Sequence, residues 1–215
     1  MARKTKEEAE KTYHALLSAA AEVFQESGVA AATLNSIAAR AGVTRGAFYW
    51  HFQSKEDLLK ALWEVHANPI LSIYHDRVAN SPVGEKLDCM RLSFNAIFHR
   101  IEDNTELGQV FRMILGNSDF TKRAPSLKDF FYEERSQFCF RIEDVLAEEQ
   151  SLGHIPDEID IHIAANGLIC LISGVMNEFF ILPERIDLPR HGAAYIDIYL
   201  KGLGLKLSPL TFTDQ

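Results

Sequence analysis

The sequence predicts an all-α protein of about nine helices, and three observations support this class. Nearly every segment with a repeating apolar pattern has the helical period, with apolar residues at i, i+3, i+4 and i+7. We find no alternating run of five or more residues between turn signals, so the sequence gives no convincing strand. Clusters of Gly, Pro and Asn separate the periodic segments, as expected for loops between helices.

The first helix is predicted over residues 6–27 and is closed by Gly28. Its apolar stripe consists of Tyr13, Leu16, Leu17, Ala20 and Phe24. Thr33 is a favourable N-cap for a short second helix, and Gly42 suits the turn that ends it. Thr44 then caps a third helix that reaches Tyr49. The N-terminal segment is therefore expected to hold three helices before residue 54.

Ser54, with Asp57 three residues later, resembles a capping box and opens a long fourth helix. Pro69 lies inside this helix and lacks a backbone N–H, so we expect a kink there unless the helix ends. The loop at 80–84 separates the first four helices from the rest. The later helical segments are predicted near 85–102, 105–116, 126–150, 158–182 and 191–206.

The composition excludes several classes of protein. A chain of 215 residues with 47% apolar and 24% charged residues is neither a small disulfide scaffold nor a disordered chain. The three cysteines lie far apart and are interpreted as small buried residues in a reducing compartment. The charged N-terminus lacks the apolar core of a secretory signal, and no apolar stretch approaches the roughly 20 residues of a membrane span. We therefore expect a cytoplasmic protein without a membrane partner.

The charge is unevenly distributed along the chain. The net charge is −8, but residues 27–55 contain no Asp or Glu and carry +3 from Arg40, Arg45 and Lys55. The remaining residues therefore carry −11. A basic stretch in an acidic protein indicates a nucleic-acid face.

The two short helices joined at Gly42 have the size of a helix-turn-helix, whose second helix enters the DNA major groove. Arg45, at the start of that second helix, can bond guanine O6 and N7 together. Hydroxyl and basic side chains suit phosphate contacts, and Gly46 allows a close backbone approach to the groove. The predicted DNA-contacting residues are Thr33, Thr44, Arg45, Gly46, Ala47, Tyr49, Trp50, His51 and Lys55. Short hairpins with a Gly turn and charge gaps of this length are also common without DNA binding.

A resemblance to a known family adds to this interpretation. It is carried by Leu34-x-x-Ile37-Ala38-x-x-Ala41-Gly42-Val43-Thr44-Arg45-Gly46-x-x-Tyr49-Trp50-His51-Phe52-x-x-Lys55-x-x-Leu58. This run resembles the N-terminal signature of the tetracycline-repressor (TetR) family. The opening Met1-Ala2-Arg3-Lys4-Thr5-Lys6-Glu7-Glu8-Ala9 and the run from Val43 to Phe52 look closest to the acriflavine-resistance repressor (AcrR) subgroup, which controls multidrug efflux pumps. The match is specific over about residues 1–63. The resemblance implies a homodimer on a palindromic double-stranded DNA operator, released when a small hydrophobic or amphipathic inducer enters the C-terminal domain.

On this basis, residues 1–55 are expected to form the helix-turn-helix DNA-binding domain, and residues 56–215 a helical ligand-binding and dimerisation domain. The segment at 158–182 is apolar over most of its surface, and the last helix is its expected partner. The predicted dimer-interface residues are Gly167, Cys170, Gly174, Tyr195, Ile198 and Tyr199. The four-helix dimer is implied by the resemblance, whereas the pattern alone fits a domain core equally well.

Most of the 14 Phe residues follow residue 90, and an aromatic pocket with a few polar groups suits a sensor of amphipathic compounds. The resemblance implies a pocket surrounded by helices 4 to 8. The ligand-contact candidates are His66, Ile70, Phe94, Ile97, Phe111, Arg112, Leu115, Phe138, Ile142, Ile169, Ser173 and Met176. Each of these could instead belong only to the core, and Arg112 could be a surface residue paired with an acid.

One hypothesis joins the two domains. A ligand beside His66 and Ile70 would tilt the helix that contains Pro69, and this would spread the reading helices of a dimer away from successive major grooves.

Other functions remain as alternatives. The runner-up within the regulator class is a TetR-type repressor that answers one specific metabolite or signal. An enzyme is a remote alternative, because G-x-S-x-G, H-E-x-x-H, P-loop and dinucleotide-binding motifs are absent from the sequence. The eight His residues show no metal spacing. We therefore expect a non-enzymatic protein without metal or cofactor.

Overall fold

The computed structural model describes residues 2–103, 105–115 and 124–209, and every regular element in these ranges is helical. The N-terminal helices are α1 (Ala2–Ala31), α2 (Leu34–Arg40), α3 (Arg45–His51) and α4 (Lys55–Leu62). A π-helical turn, Trp63–Ala67, joins α4 to α5 (Asn68–Ala79). The remaining helices are α6 (Lys86–Glu102), α7 (Glu106–Leu115), α8 (Pro125–Ser151), α9 (Ile161–Ile181) and α10 (Leu188–Gly202). The predicted all-α class is confirmed.

The predicted caps define the ends of the N-terminal helices. Gly28 has a non-helical backbone with φ of 76°, which interrupts α1 close to the expected end of the first helix. The side chains of Thr33, Thr44 and Ser54 each accept a hydrogen bond from a backbone N–H in the first turn of the following helix. Gly42 turns the chain between α2 and α3 with φ of 66°. These short-range signals explain why the sequence placed the first three loops correctly.

The long helix expected from residue 55 onward is continuous only by way of a π turn. Asn68 N–H donates to the carbonyl of Trp63, five residues earlier, so the turn before Pro69 is wider than an α-helical turn. Pro69 is the second residue of α5 and follows this turn without a break in the helix. Its ring lacks an N–H and crowds the carbonyl four residues earlier, at Val65, so the wide turn lies where a proline is expected to distort a helix.

The chain divides into two compact units, of which the first consists of Met1–Pro69 and Glu106–Phe130. In this unit, α1 packs against α2, α3, α4 and α7. The core is apolar and includes Leu16, Ile37, Phe48, Leu58 and Leu107, each of which is at most 1% exposed. Burying these side chains fixes α2 and α3 on the face of α1, since each contributes roughly 1.5–3 kcal/mol relative to exposure.

The second unit consists of Ile70–Thr105 and Phe131–Gln215. Here α10 packs against α6 and α9. Gly192 lies under the ring of Phe98, so closely that a Cβ atom there would overlap the ring at 2.5 Å. Arg91 on α6 is 3% exposed and forms ion pairs with Asp88 at 2.6 Å and with Asp197 of α10 at 2.7 Å. A glycine contact and a buried ion pair thus hold α6 against α10.

The compact units do not follow the predicted domain boundary at residue 55, because α4 and α7 belong to the first unit. The predicted boundary at residue 55 separates the residues expected to bind DNA from the rest, and it stays a prediction. The sequence led us to expect no apolar stretch close to the length of a membrane span, but α9, with 21 residues and a mean hydropathy of 1.5, is long and apolar enough to cross a membrane by length and composition. A core helix of a soluble protein passes the same test.

Candidate functional site

The first candidate site is the hairpin formed by α2, the turn at Gly42 and α3. Thr33 Oγ1 accepts a hydrogen bond from Ser36 N–H at 3.0 Å, and Ser36 Oγ accepts one from Thr33 N–H at 3.2 Å. Phe48 is 1% exposed and fastens α3 to the core of the first unit. One face of α3 is therefore buried, and the opposite face is presented to solvent.

The solvent face of α3 contains the residues predicted to contact bases. Arg45 is exposed, its Nη2 atom lies 3.3 Å from the hydroxyl of Tyr49, and its guanidinium lies over the Tyr49 ring at 5.4 Å from the centroid. Gly46 is exposed, and a Cβ atom there would meet only Thr44 Oγ1, at 3.9 Å. Trp50 is 73% exposed although it is a large apolar residue. The Arg45 guanidinium thus packs on the Tyr49 ring one helical turn away. The surface around it is open, so a DNA groove could approach the backbone of α3.

The hydroxyls and the histidine of the predicted set have local roles as well. Thr44 Oγ1 accepts from Ala47 N–H at 3.2 Å and so caps α3. His51 is half-buried, and its ring packs against Trp50 at 4.6 Å and Tyr13 at 6.0 Å. Burial lowers the pKa of His51, so the ring is neutral near pH 7 and offers a hydrogen bond rather than a charge.

Lys55 occupies a different place from the phosphate contact that the sequence suggested. Its Nζ atom donates to the carbonyl oxygens of Val29, Ala30 and Ala32, at 2.8, 3.0 and 3.0 Å. These carbonyls lie at the C-terminal end of α1, where backbone acceptors lack helical partners. The ammonium therefore joins α4 to α1, and a role in binding phosphate has no support from this geometry.

Arg40 also contributes less positive charge to the surface than the sequence window suggested. Its guanidinium bonds Glu26 at 2.7 and 2.9 Å and Glu22 at 3.0 Å, all on exposed side chains. Hydrogen bonds to Glu26 and Glu22 raise the pKa of Arg40 above its ordinary value. Glu22 and Glu26, outside the acid-free window, thus compensate this cation, and Arg45 is the cation of the hairpin without a carboxylate partner among the described residues.

A second candidate site is a cavity of about 220 Å³ in the second unit. It lies among α5, α6 and α8, and its walls are mostly apolar. Phe94 and Phe138 meet edge to face at 5.9 Å between ring centroids. The lining residues are Tyr74, His75, Asp76, Val78, Ala79, Lys86, Met90, Ser93, Phe94, Ile97, Phe138, Arg141, Ile142, Asp144 and Val145. An apolar cavity with a few polar groups has the character of a small-molecule site.

His75 is the most unusual polar residue of this cavity. Its Nδ1 atom contacts the guanidinium of Arg141, and its Nε2 atom is buried without a hydrogen-bond partner among the described residues. Burial and the Arg141 charge lower the pKa of His75 to about 4, although Asp76 opposes them. The imidazole is therefore neutral near pH 7, with one nitrogen available to a bound molecule.

The predicted pocket residues fall in several places. Phe94, Ile97, Phe138 and Ile142 line the cavity. The sequence missed His75 and Arg141, which the helical period alone did not distinguish from surface residues. Eight candidates do not line this cavity. His66, Phe111, Arg112 and Leu115 lie in the first unit, Ile70 is half-buried at the start of the second unit, and Ile169, Ser173 and Met176 lie on α9. Of these, Ser173 is exposed, while Ile169 and Met176 are buried.

The predicted dimer residues also divide into two groups. Gly167 is covered within the same chain, because the Tyr199 hydroxyl lies over it and donates to the carbonyl of Ala164 at 2.8 Å. Cys170, Gly174, Tyr195 and Ile198 are exposed, the last at 67%. Ile163 and Ile181 of α9 are exposed at 68% and 61%. We call these exposed residues of α9 and α10 the apolar face; they are Ile163, Cys170, Gly174, Ile181, Tyr195 and Ile198.

A helix-turn-helix with an exposed arginine and a separate helical unit with an apolar cavity define a helical transcriptional regulator. Comparison with known proteins agrees with this class. Residues 16–62 match the bacterial regulatory proteins of the tetR family, and residues 85–205 match the C-terminal region of MAATS-type transcriptional repressors. The chain belongs to the tetR family, whose members are soluble DNA-binding regulators and not enzymes.

Individual relatives are similar to this chain over nearly its whole length. The transcriptional regulator AcrR of Shigella flexneri is 31% identical over 207 residues, which cover 94% of this chain and 93% of AcrR. SmeT, the repressor of a Stenotrophomonas maltophilia multidrug efflux pump, is 28% identical in its triclosan complex, with a TM-score of 0.82 over 95% of this chain and 98% of SmeT. NalD, the secondary repressor of the MexAB-OprM multidrug efflux pump in Pseudomonas aeruginosa, is 26% identical, with a TM-score of 0.79 over 92% and 98%. The resemblance to the AcrR-like group is confirmed.

Proposed function

We propose that this protein is a cytoplasmic repressor that binds a palindromic operator as a dimer and is released by small amphipathic or aromatic compounds. We further propose that it controls a multidrug efflux pump, since SmeT and NalD repress such pumps. The cavity among α5, α6 and α8 is the observation that carries the ligand-responsive part.

Operator recognition rests on the exposed face of α3. Arg45, steadied on Tyr49, would bond a guanine in the major groove, and the open surface at Gly46 would let the helix approach the bases. Thr33 and Thr44, which cap α2 and α3, and the neutral His51 would bond phosphates or bases without adding charge. With few free cations on this hairpin, specificity depends on base contacts more than on charge.

Dimerisation rests on the apolar face of α9 and α10. Isoleucines with more than 60% of their surface exposed, at three positions, are costly to leave in water and are typical of a protein interface. Cys170 and Gly174 carry small side chains or none, so a partner helix can approach α9 closely there. A second copy of this chain supplies an equivalent face, as in a twofold dimer.

The inducer would occupy the cavity with its ring against the Phe94–Phe138 pair and a polar group at His75 Nε2. Helices α5 and α8 line the cavity, and each continues along the chain into the first unit. A ligand that moves either helix would therefore change the first unit through covalent continuity. Ligand and operator would weaken each other by the same factor.

The test is fluorescence anisotropy on the duplex upstream of the protein's own gene, with and without dyes, bile acids, antibiotics and acyl-CoA species. We expect tighter binding than to random duplex and release by several unrelated compounds. Ile142→Trp fills the cavity and should bind operator but resist release, whereas Phe140→Trp, at an exposed position on the same helix, should respond normally. Unchanged operator affinity at saturating ligand would contradict the coupling.

A second candidate function is a repressor that answers one small metabolite. The cavity volume of about 220 Å³ favours it, because drug-sized ligands usually occupy roughly 300–1,000 Å³. Thermal unfolding with the same compounds separates the two functions. Several unrelated stabilising compounds indicate the multidrug sensor, which requires the cavity to widen, and a single stabilising compound indicates the specialist.

A further inference from the structure

Helices α8 and α9 bring three metal-ligating side chains together away from the cavity and from the hairpin. Cys139 and Glu143 lie one turn apart on α8, and His162 lies in the first turn of α9. Cys139 Sγ is 3.4 Å from Glu143 Oε1, and His162 Nδ1 is 2.6 Å from the same oxygen. One sulfur, one oxygen and one nitrogen thus lie within 4.8 Å of one another.

The spacing of these atoms is close to that of a tetrahedral zinc site. With zinc bonds of about 2.3 Å to sulfur and about 2.0–2.2 Å to nitrogen and oxygen, the ligand atoms stand roughly 3.3–3.6 Å apart. The Cys139–Glu143 distance already has this value. The distance between His162 Nδ1 and Glu143 Oε1 is shorter, at 2.6 Å, and must increase when a cation binds. A small rotation of either side chain achieves this, because both side chains are at least partly exposed.

The electrostatics also suit a divalent cation. A thiolate and a carboxylate supply two negative charges, and the imidazole is a neutral ligand. Burial and Glu143 raise the pKa of Cys139, with Arg135 opposing them, so the metal-free thiol holds its proton. Binding a cation must therefore release that proton to solvent and form a metal–sulfur bond in its place.

The surroundings orient the ligands and leave an entry path. Asn166, one turn after His162, lies 3.2 Å from the other ring nitrogen, Nε2, and also bonds the His162 carbonyl. When Nδ1 binds a cation, the ring proton lies on Nε2, and the Asn166 amide must turn its oxygen toward Nε2 to accept it and so orient the ligating imidazole. The His162 side chain is 72% exposed, while Cys139 is 6% exposed, so the cluster opens to solvent on one side and is closed on the other.

We infer that Cys139, Glu143 and His162 bind a divalent cation of the zinc class, with a water molecule in the fourth position. Thiolate and imidazole exclude Mg²⁺ and Ca²⁺, which prefer oxygen ligands. The bound cation would clamp the start of α9 to the middle of α8. The inference is independent of the proposed inducer cavity, which these three residues do not line.

Sequence spacing alone could not find this cluster. The i, i+4 pair of Cys139 and Glu143 is ordinary on a helix, and His162 comes 19 residues after Glu143 across a loop. The expectation that no metal binds rested on the spacing of the His and Cys residues in the sequence. Only the packing of α8 against α9 brings the third ligand to the other two.

The test uses the full-length protein, reduced with a phosphine and freed of metal by a chelator, and titrated with Co²⁺. We expect one Co²⁺ per chain, with a near-ultraviolet thiolate-to-cobalt band and the strong visible bands of tetrahedral cobalt, and both should disappear when Zn²⁺ is added. Cys139→Ser should remove the ultraviolet band. His162→Gln should weaken binding at least as much as loss of an outer contact does, about 10–100-fold.

Cys170→Ser and Cys89→Ser are the matched controls, because Cys170 is exposed and Cys89 is half-buried, both outside the cluster. Both should keep the full cobalt spectrum. The inference is overturned if wild-type protein gives no thiolate band, if Cys139→Ser keeps it, or if Cys170→Ser removes it. Thermal unfolding without metal shows whether each variant folds, and added Zn²⁺ should raise Tm in wild type but not in His162→Gln.

Discussion

Replacing Lys55 with Met separates a structural role from DNA binding. The change keeps the side-chain length but leaves the carbonyls of Val29, Ala30 and Ala32 without the ammonium. The bonds to Val29 and Ala32 are part-buried, and the bond to Ala30 is exposed, where water can replace it. Hydrogen bonds to charged groups contribute about 1.5–3 kcal/mol each, and ordering a lysine costs up to about 2 kcal/mol.

The net expectation is a loss of about 2–3 kcal/mol in the free energy of unfolding. For a chain of this size, 1 kcal/mol corresponds to roughly 2–4 °C in Tm, so Tm should fall by about 5–10 °C. Circular dichroism during thermal unfolding measures it. Lys11→Met is the control, because Lys11 forms an exposed pair with Glu7 and such pairs contribute about 0.5 kcal/mol or less.

The alternative is that Lys55 binds a DNA phosphate. It is tested by operator binding at several salt concentrations, at a temperature below the Tm of both wild type and Lys55→Met. A lysine bound to phosphate contributes a log–log slope of about −0.9 per contact, and its loss would reduce the slope by that amount in each subunit. The geometry of Lys55 predicts an unchanged slope. A normal Tm together with a reduced slope would refute the structural role and restore the phosphate contact suggested by the sequence.

Three further outcomes follow from the sites. Arg45→Ala should cost about 1–3 kcal/mol for the cognate operator and little for random duplex, as measured by competition anisotropy, and an equal loss on both would exclude base recognition. His75→Gln should reduce the loss of folding stability at acid pH. Because the pKa of His75 is lowered to about 4 in the folded protein, the unfolded chain binds a proton that the folded chain does not as pH falls from about 6.5 to about 4, and this destabilises the wild type. Urea unfolding from about pH 7 to pH 5 should therefore show a smaller decrease in the free energy of unfolding in the variant than in wild type. Ile198→Glu, on the apolar face, should yield monomers in analytical ultracentrifugation, while Ile73→Glu, equally exposed on α5, should not, and an unchanged dimer in Ile198→Glu would move the interface elsewhere.

The helical elements were accessible from the sequence because their signals are local. Thr33, Thr44 and Ser54 cap helices within three residues of their own positions, and Gly28 breaks α1 through its own backbone. Arg45 and Tyr49 lie four residues apart on α3, so the helical period also predicts that their side chains share one face. These features require no knowledge of which segments meet in space.

Side-chain partners required the tertiary structure. Lys55 bonds carbonyls 23 to 26 residues earlier, Arg40 bonds acids on α1, and His75 meets Arg141 across two helices. The helical period shows that one face of a helix is buried but not which groups lie opposite it. The sequence therefore determined the helices and the reading face of α3. Packing between distant segments decided where charge is neutralised, where the cavity lies and which thiol, carboxylate and imidazole meet.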